Sequence, residues 1–294
     1  MSATIRQEMS AAAARGAEPL GDARDGLRQF TLGQITPAGG FSDRAGQGDL
    51  YYTVFGLGCL EALDCPPPES VGRFLDGFGD GEGLDLVHLA SLIRCRAILG
   101  GGFADGPGRP AVLLKGHRSA DGGYSLGVGR PLGQVYAGFL ALGAMQDLGL
   151  AVENPLALAA SVSACRAEGG GFANAPLLPA GAATTAAAVM LLRHLHRPVE
   201  GEATAWLLSR ARRDGGFAAA ATAPAADLLS TATAAMALAA TSTALPAPVR
   251  ARTLEFVRLL WDRRGGFRAH SGDDRLDCEH TFYGLLALGC LGPK

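Results

Sequence analysis

"RRGGFRAHSGDDRLDCEHTFYGLLALGCL", residues 263–291, holds three things in order: a Gly-Gly-Phe triplet, a polar loop, and an apolar run opened by Asp277-Cys278-Glu279-His280. Two carboxylates, a thiol and an imidazole so close together have the composition of a metal site. Asp277 also has the place and the chemistry of a helix N-cap. Which reading holds depends on the triplet before it, because that triplet recurs. Gly39-Gly40-Phe41, Gly122-Gly123-Tyr124, Gly170-Gly171-Phe172, Gly215-Gly216-Phe217 and Gly265-Gly266-Phe267 share its form. The last four aromatics are 48, 45 and 50 residues apart, and Phe41 to Tyr124 spans 83, close to two periods. A further unit therefore belongs near residue 83, where Gly79-Asp80-Gly81-Glu82-Gly83-Leu84 carries a decayed motif.

A second column fixes the register. Eleven residues before each aromatic stand Phe30, Leu113, Ser161, Trp206 and Phe256, with Phe74 in the similar place of the decayed unit. Gly101-Gly102-Phe103 falls off the period and reads as linker. Fixed periods of this length signal a repeat architecture, each unit one supersecondary piece. Here each unit runs from a helix with charges on one face, through the glycine turn and a polar loop, to a helix apolar nearly all round. "DLYYTVFGLGCLEAL", "DLVHLASLIRCRAIL" and "DLLSTATAAMALAA" are examples of the second helix. A helix without a polar face has to be buried on more than one side. Alternation of strand period is missing, and twelve helices leave little room for a sheet. The pattern predicts an all-α (α/α)6 toroid of six helical hairpins around a central cavity. It places the toroid at residues 21–294, and the alanine-rich residues 1–20 as a loosely attached segment.

Bulk composition narrows the function. The 294 residues carry a net charge of −2 with Lys and Arg scattered, which gives no electrostatic case for nucleic acid or an acidic membrane surface. Six cysteines, none in a C-x-x-C pair and several within apolar runs, read as reduced thiols of a cytoplasmic protein. No uninterrupted apolar stretch has the length of a membrane span.

Aligned on their apolar runs, the inner helices show two columns at their starts. The first is Asp49, Asp85, Pro131, Gly181, Asp227 and Asp277; three residues on, the second is Tyr52, His88, Gln134, Thr184, Ser230 and His280. Aspartates at helix starts are good N-caps and need no other role. In a toroid the inner N-termini converge at one end, where free N–H groups and positive dipole ends suit a polar head group above an apolar well. Tyr52, His88, Gln134, Tyr136 and Ser230 are the candidate substrate-binding residues there.

Glycine-aromatic turns between outer and inner helices resemble the prenyltransferase and squalene-cyclase repeat superfamily, over roughly residues 25–292. Within it the chain is most similar to the β subunit of protein prenyltransferases, especially the Rab geranylgeranyl type. "GQVYAGFLAL" (133–142) resembles the family's G-Q-x-Y segment, and "DCEHTFYGLLALGCLG" (277–292) its D-x-x-H-T segment. The resemblance implies a zinc ion on Asp227 and His280. Leu229 stands where the family's cysteine ligand stands, and Cys278 is the conceivable substitute. Pro131 replaces the family's diphosphate-binding histidine, and the loop "AAAATAPAAD" (218–227) lacks the family's arginine and lysine. The D-x-D-D acid motif of the terpene cyclases is not found. Two readings stay open. One is a prenyltransferase-like enzyme that processes an isoprenoid, though not a protein farnesyl- or geranylgeranyltransferase, with a possible helical-repeat protein partner. The other is a non-catalytic lipid-binding or protein-interaction toroid.

Overall fold

A computed structural model describes residues 3–292. Among these, thirteen α-helices carry the chain. Helix α1 (Ile5–Ala17) comes first, followed by six hairpins. The outer helices are α2 (Ala23–Gly33), α4 (Glu69–Asp76), α6 (Gly108–Gly116), α8 (Pro155–Ala164), α10 (Gly201–Leu208) and α12 (Ala247–Leu259). The inner ones are α3 (Leu50–Ala62), α5 (Leu86–Ile98), α7 (Val135–Asp147), α9 (Ala182–His194), α11 (Leu228–Ala240) and α13 (Cys278–Leu291). Each inner helix packs on the next, and α13 packs on α3, so the ring is closed. The expected (α/α)6 toroid is the observed fold.

The glycine turns do the joining. The first glycine of each triplet has positive φ, from 86° at Gly122 to 102° at Gly39. This is a conformation glycine enters without a Cβ penalty. Its bare Cα lies against the outer helix of the following unit. A Cβ on Gly215 would stand 2.1 Å from the Arg252 carbonyl oxygen in α12. One on Gly265 would stand 2.3 Å from the carbonyl oxygen of Gly26 in α2, so the sixth turn seats on the first outer helix and closes the circle. The triplet aromatic then turns inward. Phe41, Phe172, Phe217 and Phe267 are fully buried or nearly so, each worth roughly 1.5–3 kcal/mol of burial. Their backbone N–H groups donate to the hydroxyls of Thr53, Thr185, Thr231 and Thr281 at 2.9–3.2 Å, one threonine in the first turn of each of α3, α9, α11 and α13. These hydroxyls satisfy buried donors that would otherwise be orphaned.

The N-terminal segment corrects the sequence expectation. Its described residues, 3–20, are not loosely attached: α1 lies across the end of the ring where the inner helices finish, against α13, α3 and α7. Ile5, Ala13 and Ala17 have no exposed surface. The Ile5 N–H donates to Gln146, Arg6 pairs with Asp147 at 2.9 Å, and Glu8 takes both ends of Arg193 at 2.8 Å. The contact with α13 is backbone to backbone, since a Cβ on Gly289 would lie 1.7 Å from the Ala12 carbonyl oxygen. Alanine and glycine gave no hydrophobic stripe to read, yet they are what allows this approach. The toroid domain therefore includes α1. Gly289→Val should part α1 from α13, lower stability by about 1–3 kcal/mol or more, and open residues 5–17 to limited proteolysis. Thermal unfolding and protease mapping check this.

Candidate functional site

The ring encloses a cavity of about 440 Å³. Its lining follows from helical periodicity, counted from each inner N-cap. Position 2 gives the rim, with Tyr51, Tyr136, Ala183 and Leu229. Position 6 gives the middle layer, with Phe55, Ser91, Leu140, Ala187, Thr233 and Tyr283. Position 9 gives the deep layer, with Gly58, Arg94, Met190, Met236 and Leu286. These positions share one helix face. Phe139 and Phe282, one residue before the middle layer on their helices, also line the cavity. Helix α1 supplies the floor with Arg6, Met9 and Ser10. Aromatic rings gather on one side, where Tyr51, Phe55, Phe282 and Tyr283 pack edge-on or tilted at centroid distances of 5.0–6.2 Å.

The candidate binding column is displaced from this lining. Tyr52, His88, Gln134 and Ser230 do not line the cavity, while Tyr136 does. One cause is register. The cap of α7 is Gln134, not Pro131: it lies 10 residues after Tyr124, the same spacing as Phe217 to the Asp227 cap and Phe267 to the Asp277 cap, so the apolar-run alignment set this helix three residues too early. The Gln134 side chain accepts from the Leu126 N–H (3.0 Å) and the Ser125 hydroxyl (3.3 Å), so it braces the loop. Another cause is angle. Position 3 lies about 100° around the helix from position 2 and faces the neighbouring cap. His88 there bridges two caps, with Nδ1 2.9 Å from Asp85 and Nε2 3.2 Å from Asp49. Burial would lower its pKa, but the two carboxylates outweigh burial and raise it. Ser230 donates its N–H and its hydroxyl to Asp227. Burial and the charges of Asp277 and Glu279 push the Tyr52 hydroxyl up to about 12.

The implied zinc ligands are not brought together. Among the described residues the one group of His, Cys, Asp and Glu ligand atoms within mutual reach is Asp277, Glu279 and His280, all within 4.8 Å. Asp227 and Cys278 are outside it. Asp227 spends its oxygens on Ser230 at 2.7 and 2.8 Å. Leu229 presents an apolar side chain to the cavity where a thiolate would be needed. Cys278 is wholly buried, and burial pushes its thiol well above the usual range, the opposite of a metal-ready thiolate. The cluster that does form already has its cation. The Arg44 guanidinium lies 2.9 Å from Asp277 and 3.1 Å from Asp273. Asp277 also takes the His280 N–H and Nδ1, both at 2.8 Å. An ionised carboxylate only accepts, so that nitrogen carries the proton. These residues do not fit a zinc ion.

Glu279 is the residue the sequence reading passed over. It occupies position 2 of α13; it is not itself part of the cavity lining, but its carboxyl accepts from the hydroxyl of the rim residue Tyr51 at 2.6 Å. Burial raises its pKa above the ordinary carboxylate range, and the charge of Asp277 adds to this. Tyr51, His280 and Arg44 offset only part. Next to it, Asp277 is held below the ordinary range, because His280 and Arg44 outweigh the burial that would raise it. The two carboxyls, two residues apart, are thus driven in opposite directions, one toward the acid and one toward the anion.

With this geometry in view, the sequence of the chain matches the prenyltransferase alpha-alpha toroid domain over residues 16–93, 131–258 and 250–294. The chain belongs to that family. No curated protein matches it by sequence. Among solved structures, the toroid is similar to the type II terpene cyclase MstE from Scytonema, a variant of which is in complex with its substrate geranylgeranyl dihydroxybenzoate. That match has a TM-score of 0.66 at 14% identity over 94% of this chain and 97% of that one. It is also similar to a protein from Actinoplanes, with a TM-score of 0.61 at 16% identity over 92% and 97% of the two chains. Candida albicans protein geranylgeranyltransferase-I complexed with GGPP gives a TM-score of 0.55 at 16% identity over 70% and 66%. At these identities the likeness is one of fold.

The raised pKa of Glu279 has a stability consequence. A carboxyl raised on folding contributes fully below its unfolded value, about 4.3, and that contribution is lost as pH rises through the folded value. Glu279→Gln keeps an acceptor for Tyr51 and removes the titration. Its melting temperature should exceed that of the wild type at pH 7–8, and the gain should vanish toward pH ~4. Thermal melts across pH give the answer.

Proposed function

We propose that this toroid takes an isoprenoid chain into its cavity and processes it by carbocation chemistry started by Glu279, rather than by zinc-thiolate transfer. The observation that carries the reading is an aromatic-sided cavity whose rim tyrosine, Tyr51, is hydrogen-bonded to Glu279, a carboxyl whose pKa burial raises. The solved relatives that hold geranylgeranyl ligands support the isoprenoid class. The missing zinc thiolate and the loop without basic residues argue against diphosphate departure onto a protein thiol.

Tyr51 donates to one Glu279 oxygen, so the other oxygen carries the acidic proton. That proton adds to the CH carbon of the chain's terminal –CH=C(CH3)2 alkene, and the alkene's electron pair forms the new C–H bond. The positive charge left on the tertiary carbon is then taken up by a neighbouring alkene, closing a ring, and loss of a proton restores neutrality. Aromatic faces stabilise such a cation by about 0.5–2 kcal/mol each, and the Phe55, Phe282 and Tyr283 rings lie along its path. The apolar walls around that path limit capture of the cation by water.

Incubation with farnesyl and geranylgeranyl compounds, followed by mass spectrometry and product analysis, tests the proposal. The wild type should retain a bound chain and release an isomer of unchanged mass. Glu279→Gln should bind equally and release no product. Ala187→Trp, which fills the middle layer, should lose binding with its fold intact by circular dichroism. Recovery of the bound chain unaltered from the wild type would leave a carrier, not an enzyme.

A further inference from the structure

We infer that the deep end of the cavity is an anion site, in which Arg94, with Arg6 beside it, takes the acidic head group of the isoprenoid. The inference rests on the isoprenoid reading above and adds the substrate's polarity to it. It also inverts the arrangement the sequence suggested, in which a head group would sit at the helix N-termini.

Among the described residues, Arg94 and Arg6 are the two charged side chains that line the cavity, and both belong to its closed end. Arg94 stands in the deep layer of α5, whose neighbouring helices there offer Gly58 and Gly143. The glycine at 143 is what gives it room, since a Cβ at that position would lie 2.5 Å from an Arg94 Nη atom. Arg6 comes from α1, so the site exists only because that helix is docked.

Both guanidiniums share one counter-ion. Asp147, with no exposed side-chain surface, accepts the Arg6 Nε–H at 2.9 Å and the Arg94 Nε–H at 3.3 Å. Two positive charges thus stand on one carboxylate. Glu61 lies 3.7 Å from Arg6 Nη1, but it is partly exposed, accepts from the Ser10 hydroxyl at 2.6 Å, and lines a separate surface recess. Glu61 therefore balances Arg6 from outside. Arg94 has only Asp147, and among the described residues its Nη groups have no hydrogen-bond partner. Arg94 and Ser91 are both part of the cavity lining. A guanidinium whose Nη groups are unpaired on a largely apolar wall offers its fork to an anion. That fork matches a carboxylate or a phosphate in a two-point contact. With its head there, the chain runs up through the middle layer to the rim, roughly 10 Å away along the inner helices, and its far end meets Glu279.

The test compares ligands that differ only in the head: geranylgeraniol, geranylgeranoic acid and geranylgeranyl monophosphate, each titrated into the full-length protein by calorimetry. The acid or the phosphate should bind at least tenfold more tightly than the alcohol, and the tighter of the two names the source of the anion. Arg94→Gln should erase that preference and leave alcohol binding unchanged. Because Arg94→Gln strips one partner from buried Asp147, the double variant Arg94→Gln/Asp147→Asn, which restores the local charge balance, is measured beside it. Equal binding of all three ligands to the wild type would overturn the anion site and leave the isoprenoid reading standing. A preference that survives in both variants would also overturn it, placing the head elsewhere. Failure of all three ligands to bind would remove both readings.

Discussion

Everything in this molecule depends on one close approach: a glycine in the left-handed region laid against the backbone of the next outer helix. Four of these contacts link neighbouring units, and the fifth, Gly265 on Gly26, joins the last unit to the first. A side chain in the triplet would hold the units apart and leave an open stack. The second unit lacks the triplet, yet α5 is still held between α3 and α7. Once the ring is closed, the inner helices have no solvent face left, which is why their sequences are apolar on every side.

Closure also creates direction. The inner helices are parallel, so their starts gather at one end and their finishes at the other. At the starts, capping aspartates, His88, Arg44 and His280 form a belt of ion pairs and hydrogen bonds outside the cavity. Those groups mostly serve one another, and the interior is reached mainly by the layer one residue earlier, with Thr184 the member of the column that also lines the cavity. At the finishes, α1 seals the floor and brings Arg6 to Asp147 and Arg94. The cavity is thus polarised: a rim tyrosine bonded to Glu279, aromatic and aliphatic walls, and two arginines at the end sealed by α1.

The parts legible in the sequence were those written into short-range pattern. Triplet spacing, aspartate caps and all-round apolar runs each follow from local backbone geometry, and the helices start where those signals stand. Asp277 is the cap it resembled, and its side chain accepts from the His280 N–H. The threonines that receive the buried aromatic N–H groups were equally visible as a column, at 53, 185, 231 and 281, and were a signal left unread. Less local facts were hidden. A shift of one residue turns a helical side chain by about 100°, so a column aligned on apolar runs could not tell lining from flank. Counted from the triplet aromatic rather than from the apolar run, Gln134 is the cap of α7 and Tyr136 falls at the lining position.

By itself, the sequence determined the repeat, the helices, their caps and the ring, because glycine turns and helix starts obey rules that act over a few residues. The tertiary structure decided which side chains share the cavity. Cys278 went into the core, Asp227 to Ser230, and Arg44 reached across from residue 44 to supply the charge a metal would have brought. Docking of α1 was decided there too, through the near-touching backbones of Ala12, Gly16 and Gly289. Such choices depend on distances between segments far apart in the chain, and no local pattern of residues encodes those distances.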